Sequence, residues 1–435
     1  MTGRDLLKLL MGAAALALPA AGALSTLPPG APPALERAGP AVRVLPLGTR
    51  KVCQLVGETD RETGLATVNM TESRFGFWGT DLGASFEHEG RLYFLFGDTH
   101  ARPGVWRPRD SDLIAHTDDR DPEGCLRLSI PVAEDGAYRP LTIPGVSSGP
   151  FEVPTGGFSA NGRLYVMVTT DHGLRHRVMG RSVLAVSEDD GASFRRVMDL
   201  STDRFINVAA ATIGQTEVPG LPTPPGGAVL FFGTGPYRAS APFLAIAPAT
   251  RVEEPGALRY FAGVTDGLPR WSEREGDAVP LFDQPCLGEL SVAWDGTLGK
   301  WLMLYNCMGP AHRSQVLVRT ADLPWGPWSE PLIVFDPPVD GDCRFIHPWG
   351  PPAPGRPCAP VTDPFRPHIA GDAYGPYLIP SFTRPTGGGA HIYFTLSTWN
   401  PYTVVLMRAT LLTDQPPEVR PVSVPPPPAV TAAPS

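Results

Sequence analysis

A β-hairpin is predicted by residues 79–99, which read GTDLGASFEHEGRLYFLFGDT. Two runs with β-branched and aromatic residues, 80–88 and 91–98, are separated by Glu89-Gly90, a two-residue turn ending in Gly that suits the primed turns of hairpins. If His88 lies opposite Arg91, counting outward places Asp81 opposite Asp98. Directly opposed residues point to the same face, with Cα atoms roughly 4.5–5.5 Å apart.

The facing pair of carboxylates predicts acid/base chemistry. In a shielded cleft two such groups cannot both ionise easily, so one of them should keep its proton near neutral pH. One protonated and one ionised carboxyl are what cleavage of a glycosidic bond requires. The alternative is that each Asp only caps a strand or a turn.

The composition favours short strands over long helices. The chain of 435 residues contains 52 Pro and 47 Gly, and no part of its body shows a long, well-capped helical period. Its formal charge is −8 and its basic residues are dispersed. We therefore expect no nucleic-acid partner, because a nucleic-acid groove requires a basic patch.

The chain divides into four predicted segments. Residues 1–23 read as an export signal, with Arg4 and Lys8 before a short apolar run. They resemble a degenerate twin-arginine or a general secretory signal, and the run is too short to favour a stable membrane span. A Pro/Ala-rich linker (24–45), the folded domain (46–413) and a disordered Pro-rich tail (414–435) follow. The predicted location is secreted, periplasmic or cell-surface.

The six cysteines show no metal-binding spacing, so we predict no metal and no cofactor. Cys286 and Cys307 flank a predicted hairpin and could form a disulfide. Cys343 and Cys358 flank a Pro/Gly-rich loop and could close it. Free buried thiols are the alternative.

The hairpin pattern recurs along the chain. Residues 86–96 are echoed by residues 158–168 and 292–305, and further strand pairs lie at 227–235 and 377–396. Five such units predict an all-β fold, a five-bladed β-propeller. A sandwich would not explain the repeated Gly-Arg-Leu-Tyr motif. Residues 402–412 and 44–56 are expected to close the ring.

Two predicted turns suit the outer strands of blades. Residues 187–194, SEDDGASF, resemble the Asp-box turn of sialidase-like propellers, whose polar side chains bond to the turn's own backbone. Residues 320–328, TADLPWGPW, resemble the outer-strand turn of five-bladed arabinanase-type glycosidases.

Four motifs carry a family resemblance: residues 77–83 (FWGTDLG), 95–99 (LFGDT), 288–291 (GELS) and 397–402 (STWNPY). Together they resemble the domain-of-unknown-function 4185 family over roughly residues 70–412, a family that includes the endo-D-arabinanases of glycoside hydrolase family 183. The resemblance implies a five-bladed propeller and a secreted glycoside hydrolase that acts within a furanose polysaccharide such as D-arabinan.

The candidate catalytic residues are Asp81, Asp98 and Glu289. We expect Asp81 to be ionised and to act at the anomeric centre, with Glu289 or Asp98 as the acid. The Asp81–Asp98 pair suits a retaining separation of about 5 Å, and the Asp81–Glu289 pair suits an inverting separation of roughly 6.5–9.5 Å. The candidate substrate-binding residues are Trp78, Thr155, Tyr374, Trp399, Asn400 and Tyr402.

A second hypothesis is a non-catalytic glycan-binding propeller at the cell surface. It would retain the turns and the aromatic residues without needing paired acids. In both cases we expect a monomer whose partner is a polysaccharide.

Overall fold

The fold is a ring of five antiparallel sheets. The structure is a computed structural model, and it describes residues 41–102, 111–174, 178–216, 218–307, 315–341, 344–347 and 361–414. The innermost strand of each sheet contacts the innermost strand of the next, and the last contacts the first. This arrangement confirms the all-β, five-bladed β-propeller.

The strands of the described residues are numbered in chain order. They are β1 (Val42–Val44), β2 (Arg50–Gln54), β3 (Gly79–His88), β4 (Arg91–His100), β5 (Leu113–Thr117), β6 (Pro154–Ala160), β7 (Arg163–Thr170), β8 (Arg181–Ser187), β9 (Arg195–Ser201), β10 (Asn207–Ile213), β11 (Ala228–Thr234), β12 (Phe243–Pro248), β13 (Arg259–Thr265), β14 (Leu268–Ser272), β15 (Leu287–Asp295), β16 (Lys300–Cys307), β17 (Gln315–Ala321), β18 (Leu332–Phe335), β19 (Ala373–Leu378), β20 (Arg384–Thr386), β21 (Gly389–Thr398) and β22 (Thr403–Thr413).

Helices are short in the described part of the chain. They are α1 (Thr71–Phe75), the 3₁₀ segments Pro122–Gly124, Ala249–Arg251, Glu275–Asp277 and Pro380–Phe382, and the π-helical segment Pro337–Gly341. Within these residues, no helix has the length and apolar character that crossing a bilayer requires.

Each blade is built from strands that are neighbours in sequence. Blade 1 comprises β3–β5, blade 2 β6–β9, blade 3 β10–β14 and blade 4 β15–β18. Blade 5 comprises β19–β22 together with β1 and β2, which both pair with β22. The prediction that the two ends of the domain close the ring is therefore confirmed. Strand β1 lies inside the stretch that was predicted as linker, whereas residues 1–40 and 415–435 lie outside the described residues.

The hairpin is confirmed, but its predicted register is wrong at the end that carries Asp81 and Asp98. His88 pairs with Arg91 and Ala84 with Leu95, as counted, and Glu89 and Gly90 both have positive φ. At Gly83 a β-bulge inserts one unpaired residue, so Leu82 pairs with Phe96 and Asp81 with Gly97. A bulge places two residues of one strand against one of the other, which here removes Asp98 from direct opposition to Asp81.

The core lies between the blades. One apolar cluster joins blades 1, 2 and 5 through buried residues such as Leu95, Val166, Val183 and Tyr377. Because side chains alternate across a strand, each sheet contributes one face to each neighbour. Burial of both faces explains why the strands read as nearly continuous apolar runs.

Two disulfides join described residues. Cys286–Cys307 links the two strands of the β15–β16 hairpin, as predicted. Cys53–Cys125 joins β2 of blade 5 to the segment that follows blade 1, a pairing that was not predicted. The proposed Cys343–Cys358 bridge lies outside the described residues.

The two predicted outer turns lie between outer strands. In the β8–β9 turn Asp189 accepts hydrogen bonds from the amide N–H of Ser193 (2.8 Å) and from its hydroxyl (2.6 Å). Residues 322–331 connect β17 to β18, and Trp325 is buried there against the core between blades 3 and 4. These contacts stabilise the outer edges of blades 2 and 4, and neither turn contains a candidate acid.

Candidate active site

The beginnings of the five inner strands form one end of the propeller axis. All five inner strands run in the same sense around the axis, so their first residues meet there. These positions are occupied by Asp81 in β3, Thr155 in β6, Asn207 in β10, Glu289 in β15 and Tyr374 in β19. The fold thereby brings residues from five distant parts of the chain to one place.

Asp81 is a buried carboxyl held by tyrosine. Its side chain is 7% exposed, and its Oδ2 accepts a hydrogen bond from the Tyr374 hydroxyl at 3.0 Å. Burial raises the pKa of Asp81 to about 6, the tyrosine hydroxyls of Tyr374 and Tyr402 oppose that rise, and the negative charge of Glu289 adds to it. Asp81 is therefore ionised at pH 7 and protonated below about pH 6.

Asp98 lies beside Asp81 at the end of the same hairpin. It adopts φ 36°, and its carboxylate oxygens accept from the amide N–H of Phe151 at 3.1 and 3.3 Å. Burial, and then the charge of Asp81, hold the pKa of Asp98 well above its usual range. Asp112 extends the acidic group, because it accepts from the Asp98 amide at 3.2 Å and burial strongly raises its pKa too. The raised pKa values of Asp98 and Asp112 favour the protonated form of both carboxyls.

Glu289 faces Asp81 from blade 4 with a cationic partner. Its Oε1 accepts from the Arg238 guanidinium at 2.9 Å, and its side chain is 5% exposed. The guanidinium carbon of Arg238 also lies 4.7 Å from the Tyr237 ring centroid and 5.2 Å from that of Tyr374. Stacking of this kind is favourable for a desolvated cation, so the two rings fix the arginine against Glu289.

Several buried polar atoms around these residues have no hydrogen-bond partner among the described residues. The acceptors are Asp81 Oδ1 and Glu289 Oε2, and the donors are Arg238 Nε, Asn306 Nδ2 and the Tyr377 hydroxyl. Buried polar groups are normally satisfied, so unpaired ones indicate a ligand or water. Donors and acceptors together suit sugar hydroxyl groups or water better than a bare cation, which binds acceptors alone.

A second grouping has metal-ligand geometry without pointing to an ion. In the described part of the chain His88, Glu89 and Asp190 have ligand atoms within 4.8 Å of one another. They lie at the hairpin turn, away from Asp81, and His88 already contacts Ser159 through Nδ1 (2.8 Å) and Asp190 through Nε2 (3.2 Å). The absence of a metal and of a cofactor stays a prediction.

The sequence signature described as "Domain of unknown function (DUF4185)" matches residues 66–408. The chain belongs to the DUF4185 family. All three carboxyls of the site lie within the matched range, so they are part of the DUF4185 domain itself. No curated protein is significantly similar in sequence.

Several solved structures resemble this DUF4185 chain weakly. A protein provisionally described as a hydrolase from Bacteroides ovatus is 12% identical, with a TM-score of 0.49, covering 78% of this chain and 87% of its own. The GH62 alpha-L-arabinofuranosidase catalytic domain of Coprinopsis cinerea is 11% identical (TM-score 0.42; 84% and 98% covered). A GH43_1 enzyme from Xanthomonas citri is 11% identical (TM-score 0.39; 76% and 88% covered). At these values the likenesses say nothing about what this chain acts on.

The predicted aromatic residues of the DUF4185 domain gather beside Asp98. Trp78 stacks on Tyr402 with ring centroids 6.0 Å apart, and the Tyr402 hydroxyl donates to the Asp98 carbonyl at 2.9 Å. Trp399 is 42% exposed and packs edge-on against Tyr402, while the Arg366 guanidinium covers its ring at 4.4 Å. Trp399 is therefore the one of the three with an accessible surface.

Two predicted substrate-binding residues are instead engaged within the fold. The Thr155 hydroxyl donates to the Val208 carbonyl (3.0 Å) and accepts from its amide (3.1 Å), which ties blade 2 to blade 3. Asn400 is 0% exposed, donates to the carbonyls of Arg366 and Ile369, and accepts from the Asp363 amide. Both side chains have structural partners, which leaves them poorly placed to bind substrate.

Four residues of this site were not predicted from the sequence: Arg238, Tyr237, Phe151 and Tyr377. Arg238 and Tyr237 follow β11 in a loop that carries no motif, and Phe151 lies in a turn at φ 63°. Phe151 is 40% exposed and stacks on His172 at 5.1 Å, so it adds a second accessible aromatic at this end. Phe151 lies just before the inner strand β6 and Tyr377 lies within the inner strand β19, which was the available signal for these two residues; the β11–β12 loop offered none for Tyr237 and Arg238.

Proposed function

We propose that this chain is an exported glycoside hydrolase that cuts within a furanose polysaccharide such as D-arabinan. The observation that carries the proposal is the meeting of Asp81, Asp98 and Glu289 at one end of the axis, where burial has raised the pKa values of two of them. Perturbed carboxyl groups in a cleft are typical of acid/base catalysis.

The contacts support a proposed role for each carboxyl. Asp81, with a pKa of about 6, is ionised at neutral pH and acts at the anomeric carbon, either directly or through a water. Asp98 keeps its proton and donates it to the leaving oxygen. Glu289 is paired with Arg238, and the two unpaired atoms of this pair, Oε2 and Nε, can accept from and donate to sugar hydroxyl groups.

Two observations support the substrate class: exposed aromatic rings near the carboxyl groups, and the family to which the chain belongs. Trp399 and Phe151 present accessible rings at this end, and such rings pack on the apolar faces of sugars. The resemblance to the endo-D-arabinanase branch of the family supports a furanose polymer as the substrate. The signal-like residues 1–23 support the proposal that the protein is exported.

The test is product analysis with the purified protein and a panel of D-arabinan, L-arabinan and fructan. We expect internal cleavage of one polymer into oligosaccharides. Asp81→Asn should lower the rate by about 10³-fold while leaving folding and polymer binding intact. Asp266→Asn, at the exposed β13–β14 turn, is the matched control and should keep full activity. Saturable binding without cleavage by the wild type would overturn the proposal in favour of the glycan-binding alternative.

A second comparison separates the acid from the base. An aryl furanoside with a good leaving group needs little protonation, so the acid variant should lose about 10³-fold on polymer and less than tenfold on the aryl substrate. We expect Asp98→Asn to behave in this way. If Glu289→Gln does so instead, Glu289 is the acid and our assignment of Asp98 is wrong.

A further inference from the structure

A cavity of about 460 Å³ follows the propeller axis away from the carboxyl groups. Each inner strand contributes to its wall after contributing its first residues to the active site. The lining residues include Ser85, Glu87, Ala293, Trp294 and Tyr377. We call this cavity the axial channel.

The axial channel opens at the face opposite the carboxyl groups. Trp294, near the end of β15, is 47% exposed, and Glu87, near the end of β3, is exposed as well. Alanine, glycine and serine make up nearly half of the lining residues, and their short side chains help to keep the bore open. Wall hydroxyls are used to join blades, since Ser85 donates to the Leu378 carbonyl at 2.5 Å.

Tyr377 lines the inner end of the axial channel, next to the site. It is 2% exposed, and its hydroxyl has no hydrogen-bond partner in the described part of the chain. Burial, followed by the charges of Glu289 and Asp81, holds the pKa of Tyr377 well above its usual range, so the hydroxyl keeps its proton. It is a donor at the junction between the channel and the two carboxylates.

Hydrolysis consumes one water molecule for each glycosidic bond: the C–O bond breaks as Asp98 gives its proton to the leaving oxygen, the water oxygen joins the anomeric carbon, and one water proton passes to a carboxylate and so replaces the proton that Asp98 gave. A polymer lying across the end of the axis covers the direct approach of bulk water. A path from the opposite face would keep that water available.

We propose that the axial channel supplies the hydrolytic water from the face opposite the substrate, and that the Tyr377 hydroxyl holds the water at the channel's inner end. This inference rests on the proposed hydrolase function. It makes Tyr377 a positioning residue that acts through water.

The first test is independent of activity. A high-resolution crystal structure of the wild type should show ordered waters along the axial channel, with one bonded to the Tyr377 hydroxyl. Tyr377→Phe should lose that inner water, and Ala293→Leu should interrupt the row. Tyr260→Phe and Ala262→Leu, on the outer strand β13, are matched controls for folding. A dry channel in the wild type overturns the proposal.

The second test is kinetic. For Tyr377→Phe and Ala293→Leu we expect kcat on the polymer to fall by about tenfold with KM within about twofold, because about 1.4 kcal/mol of water positioning is lost. A short aryl furanoside does not cover the carboxyl end of the axis, so bulk water can reach the anomeric carbon directly. On this substrate the kcat of Ala293→Leu should therefore equal that of the wild type. Wild-type kcat for both variants on polymer overturns the supply role.

The two tests distinguish the two claims. If the wild type cleaves no polymer, the proposed function fails and the supply role falls with it, while the crystal structure still determines whether Tyr377 holds water. If the wild type cleaves polymer and the channel variants behave like their controls, only the channel proposal is wrong.

Discussion

Opposing effects meet on the carboxyl of Asp81. Burial favours the protonated form, and the nearby charge of Glu289 acts in the same direction. Hydrogen bonds from tyrosine and the charge of Arg238 favour the ionised form. The resulting pKa of about 6 lies where a small change in the surroundings changes the charge at working pH.

Tyr374→Phe should move the pH profile upward. The ionised form of Asp81 is the active one, so kcat/KM should rise with pH through about 6 in the wild type. Removing the Tyr374 hydroxyl takes away a bond that stabilises the charged carboxylate, which raises the pKa of Asp81. We expect the rising limb to shift to higher pH by about one to two units, since such bonds contribute roughly 1.5–3 kcal/mol.

The measurement is kcat/KM from pH 4 to pH 9 with a short furanoside, a range chosen to bracket the pKa of about 6. Tyr93→Phe, in blade 1 but bonded to Asp190, is the control and should leave the limb in place. A limb that stays put or moves to lower pH in Tyr374→Phe would contradict the assignment of Asp81 as the ionised group.

At the scale of elements, the β-bulge at Gly83 determines how the two hairpin acids sit. Gly83 has φ 97°, and a Cβ there would lie 3.2 Å from Thr395 of blade 5. The Thr395 hydroxyl also donates to the Gly83 carbonyl at 2.8 Å. The bulge is therefore held by a neighbouring blade, and it moves Asp81 opposite Gly97.

Gly83→Ala should destabilise the fold more than Gly90→Ala. Both glycines have positive φ, which costs a side chain about 1 kcal/mol or more. Only Gly83 adds a close contact, because nothing lies within 4 Å of a Cβ at Gly90. We expect losses in the free energy of unfolding of about 3 and about 1 kcal/mol, measured by urea denaturation. Equal losses would mean that the Thr395 side chain moves away from the added Cβ with no loss in the free energy of unfolding.

At the scale of the whole molecule, the ring is closed by pairing of β1 and β2 with β22 and by the Cys53–Cys125 disulfide. Glu123, two residues before Cys125, reinforces the same junction. It forms ion pairs with Arg50 of β2 (2.8 Å) and with Arg408 of β22 (2.9 Å). Blades 5 and 1 are thus joined by covalent and polar links in addition to packing.

Loss of the closing disulfide should cost more than loss of the hairpin disulfide. Cys53–Cys125 encloses 72 residues and Cys286–Cys307 encloses 21. On the chain-entropy estimate, the Cys→Ser double variants should lose about 4 and about 3 kcal/mol of unfolding free energy, respectively. Denaturant melts of the two double variants are the measurement. A larger loss for Cys286→Ser/Cys307→Ser would show that strand pairing, and not loop closure, sets the contribution.

Much of the site was predictable because its residues stand in repeated positions. Asp81 and Glu289 each begin an inner strand, and the repeat places those beginnings together. For Thr155 and Asn400 the repeat gives a position without saying which neighbour bonds to the side chain; both are bonded within the fold, and their role in substrate binding stays a prediction. Arg238 and Phe151 lie in loops without a pattern, so only folding shows that they reach the acids.

The amino-acid sequence by itself determined the sheets, their hairpins, their number and the closure of the ring, because turn residues and alternating apolar residues act over short distances along the chain. Tertiary structure alone decided the register at Asp81, the pairing of Cys53 with Cys125 and the protonation of the acids. The bulge depends on Thr395 from another blade, the disulfide on ring closure, and the pKa values on burial and on charges brought together from across the axis.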